Sequence, residues 1–251
     1  MEVAGVQCEQ MALERSGRRV SVLCAFLTTL TVVVAGCSES ESPRPDSDVR
    51  PATGAAVRPQ PAPEASRARI VFLGDSLTAG LGLPREQSVP SLIQERLRAE
   101  GFRYEVVNAG VSGDTSAGGL SRLDWSIEGD VAVLVLELGA NDGLRGLPVA
   151  QLKHNLTEII MRAKQRGIAV VLTGMEAPPN YGAAYTSEFR QTYRDLAEEH
   201  DVVFVPFFLD GVAGIASLNN PDGIHPNAEG ATIIAQRLWG VLEPLLEKHD
   251  Q

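Results

Sequence analysis

Polar residues that could do chemistry together are concentrated in four short segments. In chain order the segments are Gly74-Asp75-Ser76-Leu77, Ser112-Gly113-Asp114, Gly139-Ala140-Asn141-Asp142 and Asp222-Gly223-Ile224-His225-Pro226. A hydroxyl nucleophile needs a base, the base needs an orienting carboxylate, and a tetrahedral oxyanion needs fixed hydrogen-bond donors. The four segments supply each of these parts, so they predict acyl transfer through a serine.

Ser76, His225 and Asp222 are the predicted triad. Ser76 lies at a strand-to-helix turn, where its amide can also serve as an oxyanion donor, although a helix N-cap serine is the alternative. A carboxylate three residues before an imidazole can turn back to Nδ1 and leave Nε2 for the serine. The alternative for His225 is a solvated loop histidine. Gly74 and Leu77 do not give the Gly-x-Ser-x-Gly spacing, which disfavours a standard α/β-hydrolase.

Gly113 and Asn141 are the predicted further oxyanion donors. Asn141 follows a buried apolar strand, where a polar side chain needs a partner. Gly113 would donate its backbone N–H, and its missing side chain would let a substrate approach. Taken singly, each residue is explained as well by turn formation, in which Asn and Gly are frequent. Together with Ser76 and His225, they favour an oxyanion hole.

Three aspartates beside these residues could compete with Asp222 as the triad acid. They are Asp75, Asp114 and Asp142. We expect them to form turns or to accept hydrogen bonds from neighbouring residues. No His-Glu-x-x-His segment, Walker A sequence or complete dinucleotide loop is present, so the sequence predicts neither a metal nor a nucleotide cofactor.

Short apolar runs alternate with amphipathic stretches from residue 68 onward, which is the βαβ pattern. The predicted strands are 70–73, 106–107, 131–136, 168–173 and 202–205, and the predicted helices are 88–100, 149–163, 186–200 and 227–247. Continuous apolar strands are typical of a parallel sheet buried on both faces. We therefore predict an α/β fold, a three-layer α/β/α, flavodoxin-like doubly wound sheet of about five parallel strands. Ligands collect at the carboxyl ends of such strands, where Ser76, Gly113 and Asn141 would lie.

The first 37 residues have the pattern of a secretion signal. Basic residues precede an apolar run from Val20 to Val34, and small residues close it. The run is short for the roughly 20 residues of a membrane-spanning helix, which is the weaker alternative. Val34 to Cys37 resembles a bacterial lipobox, so Cys37 is the predicted lipid anchor, unless it lies by chance beside an ordinary cleavage site. Ser38 favours the outer membrane because it is not the aspartate of an inner-membrane retention signal. Met11 is an alternative start to Met1.

Residues 38–67 are rich in Pro, Ser and Ala and read as a disordered tether before a domain at 68–251. All three cysteines precede this domain, which excludes a cysteine nucleophile or disulfide within it. The net charge of −10 argues against a nucleic-acid partner. We expect a monomer, exported to the cell envelope, that meets the membrane through Cys37 and acts on a small-molecule acyl ester or lysophospholipid.

The four segments resemble those of the SGNH hydrolases, also called GDSL esterases. The Ser, Gly, Asn and His of that name match Ser76, Gly113, Asn141 and His225, with Asp222 as the acid. The likeness extends over about 180 residues and is closest to the bacterial multifunctional acyl-CoA thioesterase I / lysophospholipase L1 / arylesterase subgroup. The motifs that carry this likeness are Leu73-Gly74-Asp75-Ser76-Leu77, Ser112-Gly113-Asp114-Thr115-Ser116, Asn141-Asp142-Gly143-Leu144-Arg145-Gly146 and Asp222-Gly223-Ile224-His225-Pro226-Asn227.

The resemblance implies an SGNH hydrolase fold, no cofactor, and hydrolysis of short to medium acyl esters through an acyl-serine intermediate. It also implies that the loop 142–148 moves over the acyl chain, with 178–181 as another wall of the cleft. Ala140 departs from the subgroup, which has a second glycine there. An envelope anchor would keep the enzyme from acyl-CoA and favour lysophospholipid. Polysaccharide O-deacetylation by the same residues is one alternative, and a lipid-binding lipoprotein without turnover is another.

Overall fold

The structure is a computed structural model, and it describes residues 68–249. The predicted signal, the anchor at Cys37 and the tether lie outside these residues. Within the described residues, no helix combines the length and apolar character that crossing a membrane would require.

A five-stranded parallel sheet forms the centre of the described domain, in the order β2-β1-β3-β4-β5. The strands are β1 (Arg69–Gly74), β2 (Glu105–Gly110), β3 (Val131–Glu137), β4 (Ala169–Thr173) and β5 (Val203–Val205). The inner strands β1, β3 and β4 are almost wholly buried, whereas the edge strands β2 and β5 are partly exposed. This burial explains the continuous apolar runs. The parallel sheet with helices between its strands confirms the predicted α/β fold class.

Within the part of the chain that the structure describes, eight α-helices accompany the sheet. They are α1 (Ser76–Ala79), α2 (Val89–Glu100), α3 (Ser116–Ser121), α4 (Leu123–Ser126), α5 (Ala140–Leu144), α6 (Val149–Gln165), α7 (Ala183–His200) and α8 (Ala228–His249). The four long helices coincide with the predicted ones to within three residues at each end. The short helices α1, α3, α4 and α5 were not predicted, because four to six residues are too few to show a helical period.

The helices form two layers around the sheet. Crossovers between parallel strands are right-handed, so the chain changes face when it reverses direction between β2-β1 and β3-β4-β5. Helix α2 packs against α8, while α6 packs against α3 and α7. These two groups therefore cover opposite faces, which gives the three-layer arrangement.

The direction of chain progression reverses between the neighbouring strands β1 and β3. A crevice opens at the carboxyl ends of strands at such a point, because their crossovers leave to opposite faces. The chain enters α1 directly after β1 and α5 shortly after β3. The first and third polar segments therefore lie side by side at this crevice.

Candidate active site

Ser76 is the first residue of α1, and its neighbour Asp75 caps that helix. The Asp75 carboxylate accepts a hydrogen bond from the backbone N–H of Leu77 at 3.0 Å. The N-cap task, which was the alternative role for Ser76, therefore falls to Asp75. The Ser76 hydroxyl is left to make other contacts.

Ser76, His225 and Asp222 form a continuous chain of hydrogen bonds. The Ser76 Oγ lies 2.8 Å from Nε2 of His225, and Nδ1 of His225 lies 2.8 Å from Oδ2 of Asp222. A carboxylate can only accept, so Nδ1 carries the proton. The neutral ring then presents a free electron pair on Nε2 to the serine hydroxyl, which is the arrangement a general base requires.

The Asp222 carboxylate is held in its ionised form. Its Oδ1 accepts from the backbone N–H of His225 at 3.0 Å and of Ile224 at 2.9 Å. These hydrogen bonds, with that to the imidazole, lower the pKa of Asp222 from 3.8 to about 2. The side chain is 47% exposed, so hydrogen bonding rather than burial keeps this carboxylate charged.

Backbone pairing fixes the loop that carries His225. The N–H of Asn220 donates to the carbonyl of His225 at 2.7 Å, and Asn219 pairs with Pro226 in an isolated antiparallel bridge. The Asn227 side chain then accepts from the N–H groups of Glu229 and Gly230, both at 3.1 Å, which caps α8. His225 therefore lies in a loop that is fixed directly to the start of the long helix α8.

Gly113 lies in the loop after β2 with φ of +87°, a conformation that favours glycine. A Cβ at this position would meet only Nη2 of Arg145, at 3.9 Å. The backbone conformation, rather than crowding by the protein, is therefore what requires glycine. The open space beside it leaves room for a substrate.

Asn141 joins the segments that follow β1 and β2. Its Nδ2 donates to Oδ2 of Asp75 and to the carbonyl of Asp114, both at 2.9 Å. These two bonds use both amide hydrogens and fix the orientation of the side chain. The Asn141 amide can therefore serve as an oxyanion donor only if one hydrogen is shared with, or transferred from, the Asp114 carbonyl.

The three neighbouring aspartates all accept hydrogen bonds within the protein, as expected. Asp142 accepts from the N–H and hydroxyl of Ser116, at 2.8 and 2.6 Å. Asp114 accepts from Nε of Arg122 at 2.7 Å. With Asp75 capping α1, each of these carboxylates has a partner other than His225.

Arg122 was not predicted as a site residue. Its guanidinium contacts the carbonyl of Ala109 at 2.7 Å and that of Gly74 at 2.9 Å, besides the carboxylate of Asp114. It thereby connects the ends of β2 and β1. A lone arginine in an amphipathic stretch carries no sequence signal for this position.

Glu137 is the second unpredicted residue, and it lies fully buried beneath the turn that bears Ser76. Its Oε2 accepts from the Thr78 hydroxyl at 2.7 Å and from the backbone N–H of Asp75 at 3.3 Å. Burial and the nearby Asp75 raise the pKa of Glu137 well above its ordinary value, and burial raises the pKa of Asp75 to about 6. The sequence signal was a charged residue at the end of an apolar strand.

The loop after Asn141 is joined to the segment at 178–181. The Tyr181 hydroxyl donates to the carbonyl of Leu144 at 2.9 Å, and Arg145 donates to the carbonyl of Gly113 at 2.9 Å. Leu144 and Tyr181 expose large apolar surfaces. The two expected walls of the cleft are therefore one connected apolar edge, which reaches the loop of Gly113.

Residues 68–249 contain no group of three or more His, Asp or Glu side chains placed to hold a metal ion. The residues present can activate a hydroxyl, orient a base and donate hydrogen bonds to an oxyanion. These are the requirements of acyl transfer to a serine.

Comparison with known proteins gives a family match over a range that contains all four polar segments, and it also gives several similar proteins. The model of the GDSL-like lipase/acylhydrolase family matches residues 72–233. Esterase TesA of Pseudomonas aeruginosa is 44% identical over 184 residues, which are 73% of this chain and 92% of that protein. Thioesterase 1/protease 1/lysophospholipase L1 of Escherichia coli is 37% identical over 182 residues, covering 72% of this chain and 86% of that protein.

A solved structure gives the same result for the fold. The psychrotrophic esterase EstA from Pseudoalteromonas, inhibited by monoethylphosphonate, is 33% identical and superposes with a TM-score of 0.68. The match covers 71% of this chain and 98% of that chain.

Proposed function

The chain belongs to the GDSL-like lipase/acylhydrolase family and is a serine-dependent carboxylic ester hydrolase, and from this premise we propose that Ser76, His225 and Asp222 are its catalytic triad. The observation that carries the assignment is the pair of 2.8 Å contacts that join Ser76 to His225 and His225 to Asp222. Among residues 68–249, Asp222 is the aspartate whose carboxylate is hydrogen-bonded to the imidazole Nδ1.

In this mechanism, Nε2 of His225 takes the hydroxyl proton while Oγ of Ser76 attacks the acyl carbon. The carbonyl electrons move onto oxygen and form a tetrahedral oxyanion. When they return, the bond to the leaving alcohol breaks, and His225 gives that alcohol its proton. Water then attacks the acyl-serine with the same base, which releases the carboxylic acid and restores Ser76.

Three donors are proposed to hold the oxyanion, namely the N–H of Ser76, the N–H of Gly113 and the side-chain amide of Asn141. Ser76 N–H lies at the start of α1, where N–H groups lack partners within the helix. Gly113 has open space where a side chain would project. The Asn141 amide is oriented by its bonds to Asp75 and Asp114, and it can donate to an oxyanion by sharing the hydrogen that it gives to the Asp114 carbonyl.

The proposed substrates are short to medium acyl esters, including lysophospholipids. The recess behind Ser76 and His225 has a volume of about 10 Å³, room for roughly one water molecule. An acyl chain must therefore lie outside this recess, and the exposed apolar edge of Leu144 and Tyr181 is suited to contact it. We propose that the loop 142–148 adjusts over that chain by changing its contact with Tyr181.

We also propose that the enzyme is an envelope lipoprotein anchored at Cys37, with residues 1–37 as its signal, 38–67 as a tether and the outer membrane as its location. The support is the sequence pattern alone. A monomer remains the expected oligomeric state.

The test is release of p-nitrophenol from acetate to palmitate esters, compared between the wild type and Ser76→Ala, followed by hydrolysis of lysophosphatidylcholine. We expect serine-dependent turnover that is fastest at medium chain lengths, with the lysolipid cleaved. Activity on acetate alone would replace the proposed substrate class with the O-deacetylase alternative. Absence of activity on every ester would instead indicate a lipid-binding protein.

A further inference from the structure

Glu137 is completely buried, and only one of its two carboxyl oxygens has hydrogen-bond partners. The residue is 0% exposed. Its Oε2 accepts hydrogen bonds from the Thr78 hydroxyl and the Asp75 N–H. Its Oε1 is also buried and has no hydrogen-bond partner, donor or acceptor, within residues 68–249.

A carboxylate with one oxygen unpartnered would be costly in this position. Moving a charge out of water is unfavourable unless hydrogen bonds and an opposite charge compensate for it. The nearest charged neighbour is another carboxyl, that of Asp75, which raises rather than lowers the pKa of Glu137. Burial, the unpartnered Oε1 and the neighbouring Asp75 carboxyl all favour the protonated form of Glu137.

The carboxyl of Asp75 is better placed than that of Glu137 to carry a negative charge. Burial raises the pKa of Asp75, and hydrogen bonds from the Leu77 N–H and the Asn141 amide counteract part of that rise. Both carboxyl oxygens of Asp75 have donors, Leu77 N–H on Oδ1 and Asn141 Nδ2 on Oδ2, whereas Oε1 of Glu137 has none. The negative charge consequently resides on Asp75 and the proton on Glu137.

We propose that Glu137 is a positioning residue for ester hydrolysis. As a neutral acid it accepts hydrogen bonds from the Thr78 hydroxyl and the Asp75 N–H through Oε2, and it adds no second negative charge beside the Asp75 carboxylate. Asp75 in turn caps the helix of Ser76 and orients the Asn141 amide. Glu137 thus fixes the nucleophile and the oxyanion donor relative to each other from beneath, without contact with the substrate.

The packing at Gly74 is consistent with this arrangement. A Cβ at Gly74 would lie 2.0 Å from Oγ1 of Thr78 and 2.6 Å from Oε2 of Glu137. No side chain fits there while these two residues keep their hydrogen bond. The end of β1 therefore has glycine where the Glu137 carboxyl approaches the turn.

The first test compares Glu137→Gln with Glu137→Met. Glutamine reproduces a neutral acid, with one acceptor and one donor, so we expect kcat close to that of the wild type. Methionine retains length and removes both, so we expect kcat to fall by about 10-fold to 100-fold through misplacement of the reacting groups. KM should change little in both, because Glu137 does not bind substrate.

The second measurement is spectroscopic and needs only folded protein. Difference infrared spectra of wild type and Glu137→Gln at neutral pH should contain the C=O band of a protonated, buried carboxylic acid that the variant lacks. If Glu137→Met does not fold, Thr78→Val removes the other partner of Oε2 and should lower kcat in the same direction.

The proposal fails if folded Glu137→Met has wild-type kcat, or if Glu137→Gln is as impaired as Glu137→Met, since an ionised carboxylate would then be required. Absence of the protonated-acid band would also overturn it. Because the inference rests on the proposed roles of Ser76 and Asn141, Ser76→Ala and Asn141→Ala are measured in parallel. Full activity in either parallel variant would refute those roles, whereas the Gln–Met comparison decides the role of Glu137.

Discussion

Asp75 and Ser76, which are adjacent in the turn after β1, make different hydrogen bonds. Asp75 caps α1 and holds the Asn141 amide, which frees the Ser76 hydroxyl for His225. A serine in the N-cap position would have its oxygen committed to backbone N–H groups. The catalytic geometry of Ser76 therefore depends on the residue before it as much as on its base.

Asn141→Ala tests the oxyanion assignment at the residue scale. Loss of one such donor lowers kcat by about 10²-fold to 10³-fold, and KM should change little because the lost interaction acts mainly in the transition state. Steady-state kinetics with a medium-chain p-nitrophenyl ester will measure this. Thermal unfolding serves as the control, since Asn141 also bonds Asp75 and Asp114. If the variant is folded and its kcat falls by less than about threefold, the assignment is contradicted.

The ionisation of the Asp75 carboxyl makes the stability of the domain depend on pH. In the unfolded chain its carboxyl loses the proton near pH 3.8, but in the folded state near pH 6. The folded state binds more protons between these values, so the free energy of unfolding falls as pH rises through this window. The shift corresponds to about 3 kcal/mol.

Urea denaturation of the wild type and Asp75→Asn between pH 4 and about 7 measures this dependence. The variant should lose the contribution of Asp75 to the decline, while that of Glu137 persists. Asp124→Asn, at an exposed position, is the matched control and should retain the wild-type slope. Identical slopes in wild type and Asp75→Asn would show that this carboxyl ionises normally.

At the scale of elements, the site depends on ties between strand ends. Arg122, at the junction of α3 and α4, bonds the carbonyls that end β1 and β2 and the carboxylate of Asp114. Strands in a parallel sheet are joined by backbone hydrogen bonds along their length, but the loops beyond the strand ends lack such bonds. The Arg122 side chain supplies hydrogen bonds between these ends, and the cleft depends on them.

Arg122→Met should lower the free energy of unfolding by about 2–4 kcal/mol, because it leaves an aspartate and two carbonyls without their donor in a largely buried site. Urea unfolding followed by circular dichroism measures the change. Arg190→Met removes an exposed ion pair with Glu176 and should cost less than about 1 kcal/mol. Equal effects of the two substitutions would be inconsistent with a structural role for Arg122.

The sequence allowed the long elements and the triad to be predicted for separate reasons. Helix α6 was visible because residues such as Leu152, Leu156 and Ile159 recur with the helical period. Ser76, Asp222 and His225 were recognisable because acyl transfer requires these residue types and a carboxylate three residues before the imidazole. Helices of four to six residues carry no period, so α1, α3, α4 and α5 were missed.

The supporting residues were missed because their partners are distant in sequence. Glu137 contacts Asp75 and Thr78, which are 62 and 59 positions away. The bonds from Arg122 to Gly74 likewise span 48 positions. Such contacts follow from the strand order β2-β1-β3, which local patterns do not specify. Both hydrogen bonds of the Asn141 amide were unforeseen for the same reason.

At the scale of the whole molecule, the proposed anchor separates attachment from catalysis. Cys37→Ser should leave the esterase activity of the folded domain unchanged and move the protein from the membrane fraction to the soluble fraction of cells. The expectation follows because lipid on Cys37 would be the means of attachment, while the described domain has no helix suited to span a membrane. Fractionation with activity assays measures this.

Incorporation of labelled fatty acid gives the control for that experiment. The wild type should be labelled, and Cys37→Ser should not. A Cys24→Ser variant, which alters a cysteine within the predicted apolar run, should remain labelled and membrane-bound. Membrane retention of unlabelled Cys37→Ser would refute the anchor and favour an uncleaved signal.

The proposed base, His225, lies just before the last long helix and 149 positions after the proposed nucleophile, Ser76. At synthesis rates of about 5 to 20 residues per second, His225 is made roughly 7 to 30 s after Ser76. During that interval the growing chain contains the Ser76 hydroxyl without the imidazole that would take its proton. On the proposed roles, ester hydrolysis consequently begins only when the carboxyl-terminal segment docks, so an unfinished chain cannot hydrolyse esters during its own synthesis.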